Sequence, residues 1–114
     1  MNLNAAVIGW GKSGQGAAGA LLARHWRVSA FASRATDALS FDDVADVPVH
    51  VEEDAGVLVS AVVDARPDLV VVSPGIPAHH PIFTACQDAG IDLWGEVELA
   101  WRLQEEGPHA GRPW

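Results

Sequence analysis

The chain has 114 residues, enough for one domain around one core. Hydrophobic residues make up 49% of it, which excludes a disordered chain. The formal net charge is −8 with only seven Lys and Arg, scattered along the chain, so a nucleic-acid surface built on a basic stripe is excluded. Acidity does not exclude a single small anion, because backbone N–H groups at a helix N-terminus bind one locally. The one cysteine, Cys86, cannot form an intrachain disulfide and sits in an apolar helical pattern, as a buried inert thiol would. No apolar run approaches the ~20 residues that span a bilayer, and the N-terminus lacks a basic-then-apolar signal layout. The expectation is a soluble, cytoplasmic chain with neither a membrane nor a nucleic acid as partner.

In chain order, residues 3–9 read as a buried first strand. Residues 12–25 read as a helix rich in Ala and Gly, with Leu21 and Leu22 facing the core. Gly16 and Gly19 would weaken that helix by about 1 kcal/mol each, so they are expected to allow close approach to the sheet or to a ligand. Residues 27–32 form a second strand. Residues 41–46 are a short helical turn or a loop. Residues 47–51 are a short third strand, which Pro48 marks as an edge or a strand start. Asp54 reads as an N-cap. Val57, Leu58, Ala61, Val62 and Ala65 follow at helical spacing, although the Val content keeps a strand open there. Residues 69–73, Leu-Val-Val-Val-Ser, suit a central parallel strand covered on both faces. Residues 81–89 form a helix with Pro81 first and Gly90 past its end. Residues 91–94 form a last strand. Residues 96–106 form a helix with Val97, Ala100, Trp101 and Leu103 as apolar positions. The alternation predicts an α/β fold: a Rossmann-like doubly wound sheet of about five mostly parallel strands, with helices on both faces.

The stretch Gly9-Trp10-Gly11-Lys12-Ser13-Gly14 satisfies G-x-G-x-x-G between a buried strand and a helix. The glycines permit a tight turn and close backbone approach, and the helix N-terminus then offers N–H groups to a phosphate. Lys12 adds a mobile cation and Ser13 a hydroxyl donor. The competing reading is a structural turn without a ligand. Trp10 is read as a packed side chain rather than a lid.

A dinucleotide site also calls for an Asp or Glu at the end of the second strand. That strand ends Phe31-Ala32-Ser33-Arg34, without a carboxylate. This disfavours NAD. It leaves NADP open through Arg34, or a different nucleotide held by Ser33 and Arg34. Ser73-Pro74-Gly75 lies at the C-terminal end of the central strand. It is either a second wall of the same site, facing the glycine loop across the switch point, or a plain turn.

His79-His80 is read as a loop pair, with His80 capping the next helix, because adjacent residues rarely reach one metal ion. Glu96 and Glu98 suit a helix N-terminus and need no catalytic role.

Taken together, Val7-Ile8-Gly9-Trp10-Gly11-Lys12-Ser13-Gly14, Ala32-Ser33-Arg34, Val72-Ser73-Pro74-Gly75-Ile76, Ala89-Gly90-Ile91 and Trp94-Gly95-Glu96-Val97-Glu98-Leu99 resemble the N-terminal domain of the D-glutamate-adding Mur ligases, the MurD family. The continuation Ala100-Trp101-Arg102-Leu103 looks like its actinobacterial form. The likeness is weakest over residues 36–66. It implies that residues 1–106 are the first of three domains, binding the UDP part of UDP-N-acetylmuramoyl-L-alanine. Residues 107–114 would then begin a linker to a central domain for ATP and magnesium, with a C-terminal domain for D-glutamate beyond.

By the same resemblance, the loop Gly11, Lys12, Ser13 and Gly14 meets the diphosphate through backbone N–H groups. Ser33 and Arg34 hold the uracil region, and Ser73, Pro74 and Gly75 form the turn beside the nucleotide. Ala32 departs from an Asp often found there, and Trp10 replaces a smaller aliphatic residue. No G-x-x-x-x-G-K-[ST] pattern occurs in the sequence, so ATP binding and ligation are not expected of these residues alone. The contrasting expectations are an NADP-binding oxidoreductase domain, or an interaction domain whose glycine loop only turns the chain.

Overall fold

The computed structural model describes residues 3–33, 44–95 and 98–102. Five strands form one sheet: β1 (Asn4–Ile8), β2 (Arg27–Ala32), β3 (Val49–Val51), β4 (Leu69–Val72) and β5 (Asp92–Gly95). Their order is β3-β2-β1-β4-β5, and every neighbouring pair is parallel. Three helices connect them: α1 (Lys12–Leu22), α2 (Ala55–Asp64) and α3 (Pro81–Ala89). The sheet is thus parallel throughout its described strands, a stricter arrangement than the mostly parallel one expected.

Strand alternation divides the core between the two faces. Ala5 and Val7 of β1, with Leu69 and Val71 of β4, pack against Ala17, Ala18 and Leu21 of α1. Ala6, Ile8, Val70 and Val72 face the other way, against Leu58, Val59 and Val62 of α2 and Ile82 and Cys86 of α3. All four residues of β4 are buried, as the unbroken Leu-Val-Val-Val run requires of a strand covered on both sides. Each fully buried aliphatic side chain of this kind stabilises the fold by about 1.5–3 kcal/mol.

The helix boundaries follow local chemistry. Asp54 caps α2, its Oδ1 accepting the Val57 N–H at 3.1 Å. The strand alternative for this segment fails on exposure. A period of two would put Val57 and Val59 on one face, yet Val57 is 52% exposed and Val59 only 8%. Pro81 starts α3, and Gly90 ends it in the left-handed region at φ 71°.

Three expectations need correcting. The first helix stops at Leu22 rather than at residue 25. The chain tightens there, with His25 left-handed at φ 66° and the Trp26 N–H bonded to the Leu21 carbonyl, and so turns straight into β2. The third strand begins at Val49, because the Pro48 carbonyl already accepts the Ala30 N–H and Pro48 has no N–H to give. Residues 98–102 are helical as expected, but Leu99 is the buried residue while Ala100 and Trp101 are exposed. At 3.6 residues per turn, Trp101 lies roughly opposite Leu99. Val97 and Leu103 lie outside the described residues, as does the proposed linker at residues 107–114.

At the N-terminal edge of the sheet, the Asp68 carboxylate accepts the Asn4 N–H, and the Asp68 N–H bonds the Asn4 carbonyl, both at 2.8 Å. This ties β1 to β4 there and leaves the opposite, C-terminal edge for the connecting loops.

Candidate functional site

The strand order reverses direction between β1 and β4, because β2 and β3 extend the sheet one way and β4 and β5 the other. Ligands of open α/β sheets bind outside the C-terminal strand ends at such a point. The glycine loop leaves β1 at this edge and the Ser73-Pro74-Gly75 turn leaves β4 beside it.

The two segments touch. Gly9 is left-handed at φ 94°, and a Cβ there would run into the Ser73 hydroxyl. Its N–H donates to the Phe31 carbonyl at 2.9 Å, so it also ties β1 to the end of β2. The Ser73 N–H donates to the Ile8 carbonyl at 3.0 Å, carrying the β1–β4 pairing one residue further. Ser73 then accepts the Ile76 N–H at 3.1 Å, closing the Ser-Pro-Gly turn, and Pro77 accepts the His80 N–H at 3.0 Å, closing a second turn.

Gly14 fixes how α1 meets β1. A Cβ at this position would fall on the Gly9 carbonyl oxygen. Close approach is therefore the role of Gly14 and not of Gly16, around which a Cβ would find open space. Trp10 is buried in the core on the α1 face, as a packed side chain, with its carbonyl accepting from the Gln15 side chain at 3.3 Å. No side chain caps α1, whose N-cap is Gly11. The first-turn N–H groups of a helix have no intrahelical acceptor, so those around Lys12 and Ser13 remain for an outside acceptor, with the positive end of the helix dipole behind them.

Beside the loop lies a cleft of about 230 Å³. Ile8 and Gly9 form its floor, and Phe31, Ala32 and Ser33 at the end of β2 form one side. Leu58 of α2 and the Gly75, Ile76, Pro77 and His80 stretch complete it. Despite the chain's net charge of −8, no carboxylate is among the described residues of this lining. The cleft is smaller than the roughly 300–1,000 Å³ of drug-sized sites. Phe31 stacks on His50, with ring centroids 5.3 Å apart.

Among the described residues of the lining, His80 is the titratable one. Its Nδ1 accepts the Ile82 N–H at 3.1 Å and so caps α3, as read from the sequence. Burial, and then the neighbouring His79, holds its pKa below the ordinary 6.5, so the ring is neutral at pH 7. Among the described residues, no three His, Cys, Asp or Glu are grouped to hold a metal. Cys86 is buried, and desolvation raises its pKa, which suits packing and not nucleophilic chemistry. Glu98 pairs with Arg102 at 3.0 Å on the surface, and Arg102 lies over the Trp94 ring at 5.1 Å. No helix among the described residues is long and apolar enough to cross a membrane.

The fold resembles that of RSP, a Rex-family repressor, at a TM-score of 0.57 and 17% identity over 92% of this chain and 60% of that one. At that identity the likeness is one of fold alone. The sequence decides the family. Residues 3–95 match the model for the Mur ligase MurD-like N-terminal domain. The chain belongs to the MurD-like family of Mur ligases.

A UDP-N-acetylmuramoylalanine--D-glutamate ligase of Synechocystis sp. is 35% identical to this MurD-like chain over 107 residues, covering 94% of the chain and 24% of the relative. The enzyme of the same name from Frankia casuarinae is 41% identical over 107 residues, covering 84% of the chain and 20% of the relative. In Mycolicibacterium vanbaalenii the identity is 62%, over 40 residues that cover 35% of the chain and 8% of the relative. The MurD-like chain thus spans about a quarter or less of the relatives it matches, 24% in the first and 20% in the second.

Of the residues singled out in the sequence, Gly11, Lys12, Ser13 and Gly14 lie at the start of α1, and Ser73 and Pro74 lie in the adjoining turn. Ser33 and Gly75 line the cleft itself. Arg34 lies outside the described residues. Sequence reasoning missed Phe31, Leu58, Ile76 and Pro77 as lining, since apolar residues in strands and helices read as core. His80 was legible as a cap, yet not as a wall of the cleft.

Proposed function

We propose that this domain holds the uridine diphosphate part of UDP-N-acetylmuramoyl-L-alanine. The parent protein would then be the ATP-dependent ligase that adds D-glutamate to that substrate in peptidoglycan precursor synthesis. The observation that carries the reading is the uncapped N-terminus of α1 beside the Ser73–Gly75 turn at the β1/β4 crossing, adjoining a cleft with no carboxylate among its described lining residues. The diphosphate sits on the N–H groups at Lys12 and Ser13, where a helix N-terminus favours anions without a basic side-chain cluster. The planar base enters the cleft among Phe31, Ser33 and Gly75.

The residues present do not fit ATP with magnesium. The sequence contains no G-x-x-x-x-G-K-[ST] loop, and no metal-holding cluster occurs among the described residues. The proposal puts the ATP, magnesium and D-glutamate sites in central and C-terminal parts of the parent protein, with these residues binding and orienting the nucleotide.

The test is calorimetric titration of the 114-residue chain with UDP, UDP-N-acetylmuramoyl-L-alanine and NADPH. Saturable binding of both uridine compounds is expected. Binding of NADPH with no response to either uridine compound would replace this reading with an NADP-binding oxidoreductase domain. Ser13→Pro deletes one N–H near the helix start, where Pro is tolerated, and should strongly weaken UDP binding. Unchanged affinity in a folded variant would remove the glycine loop from the phosphate site.

A further inference from the structure

We infer that His80 is a specificity residue of the cleft, donating from Nε2–H to a carbonyl oxygen of the bound base. The inference rests on the uridine-nucleotide reading above.

The His80 Nδ1 accepts the Ile82 N–H at 3.1 Å, so that nitrogen carries no proton. A neutral imidazole has one protonated nitrogen, and the cap therefore fixes the Nε2–H tautomer. The same contact, together with the turn closed by the His80 N–H on the Pro77 carbonyl, anchors the residue at two points. His80 lines the cleft with Ile8, Phe31, Leu58 and Ile76, so its remaining ring donor belongs to a half-buried residue of a mostly apolar lining. A donor at that position gains a hydrogen bond from a ligand acceptor and none from a second donor.

The α1 N–H groups that suit a diphosphate belong to Lys12 and Ser13, which are not part of the cleft lining. The acceptor offered to His80 is then the base rather than a phosphate. Uracil presents two carbonyl oxygens at its edge, whereas cytosine has an amino donor in place of one of them. With O4, the oxygen that cytosine lacks, as the acceptor, His80 favours uridine over cytidine nucleotides.

The test is 15N NMR of the imidazole groups in the 114-residue chain, with UDP and with inorganic pyrophosphate as separate ligands. Free protein should show His80 as the Nε2–H tautomer. UDP should move the Nε2 resonance and leave Nδ1 in place, while pyrophosphate should move neither. His80→Asn keeps an N-cap acceptor, while its shorter amide places no donor at the position of Nε2. It should bind UDP about tenfold more weakly, the loss of one hydrogen bond, with its pyrophosphate affinity unchanged and its preference for UDP over CDP reduced. UDP binding that leaves Nε2 unmoved, or pyrophosphate that moves it equally, would overturn this inference and leave the uridine reading standing. Absence of UDP binding would overturn both.

Discussion

Gly14 and Gly16 sit two residues apart on α1, and the same substitution should act on them with opposite sign. At Gly14 an added Cβ would overlap the Gly9 carbonyl oxygen, 3.1 Å from its carbon and 3.2 Å from the Val7 Cγ1. The main obstacle is backbone, so no side-chain rotation relieves it and α1 must lift from β1. Overpacking of this kind costs about 3 kcal/mol at the upper end of its usual range, against a gain of about 1 kcal/mol from the better helix propensity of Ala. The net loss for Gly14→Ala is about 2 kcal/mol, which lowers the Tm of a domain this size by roughly 8–16 °C. At Gly16 nothing lies within 4 Å of the added Cβ. Gly16→Ala keeps only the propensity gain of about 1 kcal/mol, and its Tm should rise by roughly 4–8 °C. Thermal unfolding followed by far-UV circular dichroism reads both shifts in one experiment. A Gly14→Ala protein melting at or above the wild-type temperature would refute the close approach of helix to strand.

Further outcomes follow from the caps and the buried thiol. Asp54→Ala should lose about 1 kcal/mol in urea unfolding through its missing cap, and Asp54→Asn should recover most of it; equal losses in both would point to charge rather than capping. Because burial and His79 hold the His80 pKa below 6.5, the unfolded chain binds the proton more readily. Stability from this group is complete above pH 6.5 and falls as the pH drops towards the folded-state value. Urea titrations from pH 5 to 8 should therefore show a wild-type loss at the acid end that shrinks in His80→Asn, and parallel pH profiles for the two proteins would contradict the assignment. Cys86 should resist thiol reagents in the native protein and react only on unfolding, since its thiol is buried and its pKa raised; complete labelling on mixing would place it at the surface.

Much of the frame was legible because it depends on local chemistry. The unbroken apolar run at Leu69–Val72, the Asp54 cap, and Pro81 with Gly90 around α3 each announce their elements through short-range steric or hydrogen-bonding rules. What escaped depends on tertiary placement. Nothing in the glycine spacing tells whether Gly14 or Gly16 faces β1, because that depends on the rotation of α1 about its axis. Leu99 displaced Ala100 and Trp101 as the buried residue for the same reason. Phe31, Leu58 and Ile76 are ordinary apolar residues in the sequence and became walls of a cleft only once the β3-β2-β1-β4-β5 order set the strand ends side by side. The Ile76-Pro77 pair, directly after the Ser-Pro-Gly turn, was the available clue. Ser33 and Gly75 were found because polar and turn residues at strand ends carry their own signal.

The contacts that join the glycine loop to its neighbours also bear on how a ligand would be received. Gly9 is held by the Phe31 carbonyl, Ser73 by the Ile8 carbonyl, and α1 rests on Gly9 through the bare Cα of Gly14. A segment fixed on several sides has already surrendered its freedom when the chain folds. A phosphate bound there, as proposed, would find its donors in position and lose little affinity to ordering them. Rigidity of this kind would make the loop a gauge of fixed width, admitting groups that match its spacing and adjusting little to those that do not.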